Sequence, residues 1–271
     1  MTAGPGDKGG GKSGGKGGAK SGVGKSRPSG RNLTVRVRTA RRRSTSSTRW
    51  LQRQLNDPYV IAAKQDGYRS RAAYKLLQLD EKLGLLKKGH AVVDLGAAPG
   101  GWTQVLLNAL GPKGRVLAVD INEMEAVPGA QTLVGDVTEL ATEEAIRAAL
   151  GGLADLVLSD MAPPATGHRA TDHLRIMALA EAALDLARAV LRPGGGFVAK
   201  VWQGGTEHAL LATIKRDFAA VRHVKPEASR SDSAEMYVVA TGYRGQGAGN
   251  GAETDAETDT EIEAKSGETE T

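Results

Sequence analysis

The 271-residue chain contains no cysteine, which excludes disulfides and thiolate metal ligands and leaves the redox character of its compartment open. Long apolar runs are missing as well. None approaches the roughly 18 residues that a spanning helix needs, and nothing near Met1 resembles the apolar core of a signal peptide. A soluble, cytoplasmic protein without a membrane partner is expected. Acids are absent from the first 54 positions apart from Asp7, against 14 Lys and Arg over the same stretch. At the other end basic residues are scarce: from Gln246 onward Lys265 stands alone against eight Asp and Glu.

The formal charge of +5 therefore hides a dipolar chain, about +13 in front and about −7 behind, with a near-neutral middle. The first 30 residues are mostly Gly, Lys and Ser and offer almost nothing apolar to bury. Residues 1–46 are expected to form a disordered basic arm, 246–271 a disordered acidic tail, and 47–245 the folded domain. A basic arm of this density is drawn to phosphate backbones by counterion release, whatever the nucleic-acid sequence; a solubilising role is the plainer alternative. The Arg- and Ser-bearing front also overlaps with organellar transit composition, but its glycine content argues against the amphipathic helix such peptides use.

Within the domain, strand and helix patterns alternate. Strands are predicted at 91–95, 115–120, 131–134, 155–160 and 196–202, with helices at 101–110, 139–149, 172–191 and 206–217. Pro112 and Gly114 stop the first of these helices, and Arg192-Pro193-Gly194-Gly195 stops the third. The segments 219–225 and 235–241 are joined by a connection too short for a crossover helix, which implies an antiparallel pair. The expected fold is α/β: a Rossmann-like, seven-stranded, mostly parallel sheet covered on both faces, with an antiparallel terminal hairpin. Upstream, 48–66 and 69–83 read as helices of a basic leader spanning 47–88, for which a packing helix with a solvated positive face is the commoner use.

Val92-Val93-Asp94-Leu95-Gly96-Ala97-Ala98-Pro99-Gly100-Gly101-Trp102 runs an apolar strand into a glycine-rich turn and then a helix. Such a turn brings backbone N–H groups up to a nucleotide-type ligand. The glycines read G-x-x-x-G-G instead of the dinucleotide G-x-G-x-x-G, so a ligand without a pyrophosphate is favoured and a dehydrogenase is not. Asp120, twenty residues past Gly100 at the end of the second strand, is placed to accept both hydroxyls of a ribose. Asp136, after the third strand, suits an adenine amino group, although Gly-Asp is also ordinary turn chemistry. Trp102 either flanks the ligand or packs under the first helix.

Two residues stand out as chemistry. Asp160 sits at the C-terminal end of the fourth strand, where open α/β sheets bind their ligands. Lys200 interrupts the apolar run Phe197-Val198-Ala199-Lys200-Val201-Trp202, and a lysine is almost never fully buried unless paired. A structural ion pair is the alternative there. Glu235, which alone would pass for an edge-strand acid, completes with Lys75, Asp160 and Lys200 a set of two lysines and two acids.

The stretches Ser70-Arg71-Ala72-Ala73-Tyr74-Lys75-Leu76, Asp94 to Trp102, Ser159-Asp160-Met161-Ala162-Pro163, Phe197 to Val201 and Ser233-Ala234-Glu235-Met236-Tyr237 are together highly specific. From about Ser47 to Tyr243 the chain resembles the FtsJ-like family of S-adenosylmethionine-dependent ribosomal RNA ribose 2′-O-methyltransferases, and more narrowly its bacterial branch acting on large-subunit uridine. The resemblance implies catalytic roles for Lys75, Asp160, Lys200 and Glu235. It implies cofactor contacts from Gly100, Trp102, Asp120 and Asp136, with Asp160 nearby, no metal, a monomer, and the large ribosomal subunit as partner. Pro164 departs from the family, which commonly has Asn after Met-Ala-Pro.

The implied reaction is an in-line attack of a ribose 2′-hydroxyl on the sulfonium methyl, in which positioning supplies much of the rate and the hydroxyl must be relieved of its proton or its developing charge. Lys200 suits either role. Desolvation favours a neutral amine acting as base, whereas a carboxylate beside it favours an ammonium that stabilises alkoxide. A methyltransferase of transfer RNA or a messenger cap would share the cluster. A ribosome-assembly factor that only binds RNA would have no need of a buried lysine pair.

Overall fold

A proline decides the shape of the leader. In the computed structural model, which describes residues 39, 44–203, 207–230 and 233–245, the single helix expected over 48–66 is two helices, α1 (Thr45–Leu55) and α2 (Pro58–Asp66). Pro58 has no N–H to continue α1, and Asp57 caps the new start by accepting from the Tyr59 N–H at 3.0 Å. α3 (Ala73–Leu83) follows and leads into the sheet. Apart from 39 and 44–46 the basic arm lies outside the described residues, as does the whole acidic tail.

The remaining elements alternate as expected: β1 (Ala91–Leu95), α4 (Gly101–Leu110), β2 (Arg115–Asp120), β3 (Gln131–Val134), α5 (Leu140–Leu150), β4 (Ala154–Ser159), α6 (Arg169–Val190), β5 (Leu191–Trp202), α7 (Glu207–Asp217), β6 (Phe218–Val224) and β7 (Glu235–Tyr243). The strands form one sheet in the order β3-β2-β1-β4-β5-β7-β6. β3 to β5 run parallel, and β7 is antiparallel to both of its neighbours. The seven-stranded α/β expectation holds, and the hairpin enters with its second strand innermost. Burial explains why: Tyr237 to Ala240 are buried on both faces of β7, whereas β6 exposes Arg222 and His223 and suits an edge.

Beyond the split of the first helix, three boundaries differ from the pattern by three residues or more. α3 starts at Ala73 and not at 69, because the chain turns through Arg69 to Ala72, with the N–H groups of Ala73, Tyr74 and Lys75 bonded three residues back. α6 starts at Arg169, three residues early, because His168 caps it by accepting from the Thr171 N–H. β5 starts at Leu191 and includes the Arg192-Pro193-Gly194-Gly195 stretch, because Leu191 pairs with Ala154 and a bulge takes up the extra residues before Gly196 pairs with Leu156.

The sheet is covered on both faces. Val93, Leu95, Val157, Phe197 and Val201 pack with α5, α6 and α7, and Val92, Leu156, Leu158, Val198 and Tyr237 pack with α3 and α4. Strand alternation places Asp94 and Lys200 on the second of these faces, among side chains that are otherwise apolar. Phe197 is fully buried, with its ring 6.2 Å from that of Phe218. Phe197→Ala is expected to cost roughly 3–5 kcal/mol in chemical unfolding, and a loss below about 1 kcal/mol would contradict this packing.

Candidate active site

The ligand-binding edge forms where β1, β2 and β4 end. Gly96 has φ 74°, and a Cβ there would lie 2.8 Å from Met161 Cγ and 2.9 Å from its Cα. Only glycine lets the chain after β4 cross this close. The Asp160 N–H donates to the Leu95 carbonyl at 3.1 Å and holds the two strand ends together. Gly100, with φ 103°, begins α4 with no side chain capping it, and a Cβ there would meet Val127 at 2.9 Å. The N–H groups of this helix start therefore present partial positive charge toward the edge.

Asp120 does structural work as well as facing the edge: its Oδ2 accepts from the Ala98 N–H at 2.9 Å and its Oδ1 from the Asn122 N–H at 2.8 Å. A cavity of about 230 Å³ opens beside it, lined also by Ala118, Met124 and Leu133. Asp136 lies just beyond β3, where bonds from the Thr138 N–H (2.9 Å) and Oγ1 (2.7 Å) to its Oδ1 hold its carboxyl below the ordinary carboxylate range. Trp102 takes the packing position. Its indole is buried and donates to the Ala72 carbonyl at 2.8 Å, 5.7 Å from the Tyr237 ring.

The four charged residues singled out in sequence do meet. Lys75, on α3, and Lys200, on β5, are each 7% exposed. Lys200 Nζ lies 2.7 Å from Asp160 Oδ1 and donates to the Asp160 carbonyl at 2.7 Å. Lys75 Nζ is 2.7 Å from Glu235 Oε1 and 3.6 Å from Asp160 Oδ1, and Lys200 stands 3.9 Å from Glu235 Oε2. Burial pushes the Asp160 carboxyl up, but Lys200 and Lys75, with bonds from Lys200 and Tyr237, outweigh it and leave the group below its ordinary value. Asp160 is thus held as an anion between two amines. The solvated face that base rates favour for the leader is not where Lys75 points.

Sequence reasoning passed over two participants. Tyr237 donates its hydroxyl to Asp160 Oδ1 at 2.5 Å, and burial, reinforced by Asp160 and Glu235, raises that phenol well above its ordinary value. Asp94, 0% exposed, accepts from Thr103 Oγ1 at 2.7 Å through Oδ2, while its Oδ1 has no hydrogen-bond partner. Burial raises its carboxyl to about 7, with Asp160 and Asp120 adding to the shift against the Thr103 bond. Its signal was the one that exposed Lys200, a charge inside an apolar strand. Among the described residues no group of His, Asp and Glu is arranged for a metal ion.

The FtsJ-like methyltransferase family matches residues 68–243. The chain belongs to that family. It is 61% identical over 227 residues to a Paramagnetospirillum magneticum protein named ribosomal RNA large subunit methyltransferase E, covering 81% of this chain and 93% of that one. The Azorhizobium caulinodans protein of the same name is 58% identical over 221 residues, covering 80% and 92%. A Plasmodium falciparum crystal structure described as a ribosomal RNA methyltransferase superposes with TM-score 0.59 at 29% identity, over 66% of this chain and all of that one. The expectations of enzyme class and cofactor hold with this membership: the FtsJ-like protein is a methyltransferase that uses S-adenosylmethionine. No helix among the described residues is long and apolar enough to cross a membrane.

Asp94 gives a pH test. The folded chain keeps its proton up to about pH 7, whereas the ordinary value is 3.8, so the fold loses stability as pH rises between these values and levels off above them. Asp94→Asn is expected to remove that component from the cofactor-free protein. Melting temperatures of both forms from pH 4 to 8 check it, and parallel curves would contradict the assignment.

Proposed function

We propose that the protein methylates the 2′-hydroxyl of a uridine ribose in large-subunit ribosomal RNA, acting as a cytoplasmic monomer on the assembled subunit. The observation that carries this reading is the buried cluster in which Lys200 and Lys75 share Asp160 and Glu235 at the ligand edge of the sheet. The names of the relatives at 58–61% identity support the choice of large-subunit ribosomal RNA.

The residues at the edge fit the cofactor. The uncapped N terminus of α4 at Gly100 and Trp102 suits an amino-acid carboxylate, and the unpartnered Oδ1 of Asp94 suits an amino group. Asp120 would take the ribose hydroxyls and Asp136, through its second oxygen, the adenine amine, with Asp160 closing the edge nearby. Bound S-adenosylmethionine supplies an electrophilic methyl group. The chain itself must bring the 2′-oxygen into line with that methyl and manage the oxygen's charge. Lys200 meets this need in either protonation state, accepting the proton as an amine or stabilising the alkoxide as an ammonium. Asp160 and its bond from Tyr237 fix where the Lys200 nitrogen sits, and Lys75 and Glu235 position the ribose and its neighbouring phosphate. The displacement calls on Lys75, Asp160, Lys200 and Glu235, with Tyr237 behind Asp160, and on no metal.

Lys200→Ala is expected to abolish turnover while cofactor binding, followed by calorimetry, survives; normal methylation by this variant would sink the assignment. The arm of residues 1–46 adds affinity for phosphate backbones that does not depend on sequence. Deleting it should weaken RNA binding and flatten the dependence of log K on log salt, and an unchanged slope would assign the arm to solubility.

A further inference from the structure

Among the described residues between β6 and β7, 225–230 and 233–234, there is no helix or strand, yet Ala228 is 0% exposed and Ser229 5%. Both backbone polar groups of Ala228 are taken by leader side chains: its N–H donates to Gln78 Oε1 at 2.7 Å, and its carbonyl accepts from Arg71 Nη2. Arg71 is held in turn by Asp57, 3.0 Å from its Nε. Loops ordinarily run over the surface and move because their backbone bonds go to water. This stretch is instead bonded to Gln78 on α3, the helix that carries Lys75, and to Arg71 in the turn just before it.

What the anchoring delivers is the Ser229 hydroxyl, which donates to Glu235 Oε1 at 2.9 Å. Glu235 needs a second hold. In the β5–β7 ladder Lys200 faces Tyr237, and Glu235 faces Trp202, so its carboxylate reaches the cluster from a diagonal position. Lys75 and Ser229 converge on Oε1, which leaves Oε2 turned toward Lys200 at 3.9 Å. Two donors on one oxygen restrict the rotation of the carboxylate, which one flexible lysine does not. The Glu235 N–H donates to Ser233 Oγ at 3.1 Å, a bond that orients the backbone and not the carboxylate.

We infer that Ser229 is a positioning residue for methyl transfer: anchored to the leader through Ala228, its hydroxyl fixes the Glu235 carboxylate between the two lysines. The inference rests on the reading of Glu235 as a member of the reacting cluster. It accounts for a buried serine outside any helix or strand, and it joins Ala228 and Ser229 to the active site.

The test uses the full chain with S-adenosylmethionine and the RNA substrate, and compares Ser229→Ala, Ser229→Thr, Glu235→Ala and the Ser229→Ala, Glu235→Ala double variant. Ser229→Ala is expected to lower kcat about tenfold, the order of one hydrogen bond to a charged group, while KM for the cofactor stays unchanged. Ser229→Thr restores most of the rate. In the Glu235→Ala background, removing the hydroxyl has no further effect on kcat, because the group it orients is gone. Wild-type kcat for Ser229→Ala beside an impaired Glu235→Ala overturns the inference alone. Losses that multiply in the double variant and follow melting temperature also overturn it, since they mark a structural role. Full activity of Glu235→Ala overturns the reading on which it rests.

Discussion

Two lysines and two acids share one largely buried site, and a charge left there unpaired costs several kcal/mol. Lys75 comes from α3, Asp160 from the end of β4, Lys200 from β5 and Glu235 from the start of β7. The charge balance is therefore complete only when the leader, the parallel sheet and the terminal hairpin are all docked. This constraint accounts for features far from the reacting centre. β7 must lie beside β5 to deliver Glu235 and Tyr237, and α3 must lie on the same face to deliver Lys75.

The cofactor edge is built from backbone where the cluster is built from side chains. Gly96 lets Met161 cross at contact distance, which brings Asp160 onto the Leu95 carbonyl and so next to the end of β1. Asp120 ties the turn after Gly96 through the Ala98 N–H while it faces the cavity at the ends of β2 and β3. A single rigid corner thus sets the distance between the groups suited to the cofactor and the lysines suited to the ribose. Rigidity of this kind is what an in-line displacement requires, because positioning supplies a large share of its rate.

Much of this was legible because the signals are local. Period-two and period-3.6 patterns located the strands and most helices, the spacing from Gly100 to Asp120 pointed to a ribose, and Lys200 betrayed itself as a charge in an apolar strand. Features set by distant partners were not legible. The break at Pro58 was written in the chain and outweighed by the periodicity on either side of it. The inner position of β7 depends on burial of both its faces, and the early start of β5 depends on a bulge against β4. Tyr237 acquires meaning only from Asp160, 77 residues away, whereas Asp94 carried a local signal, a charge inside an apolar strand, that was passed over.

Product mapping decides whether this cluster methylates a ribose of large-subunit RNA. The purified protein would be incubated with labelled S-adenosylmethionine and, separately, large subunits, naked ribosomal RNA and transfer RNA from cells lacking the enzyme. Label from S-adenosylmethionine is expected on the 2′-oxygen of one uridine of the large-subunit RNA when the assembled subunit is the acceptor. Label confined to transfer RNA, or on a base instead of a ribose, would contradict that assignment.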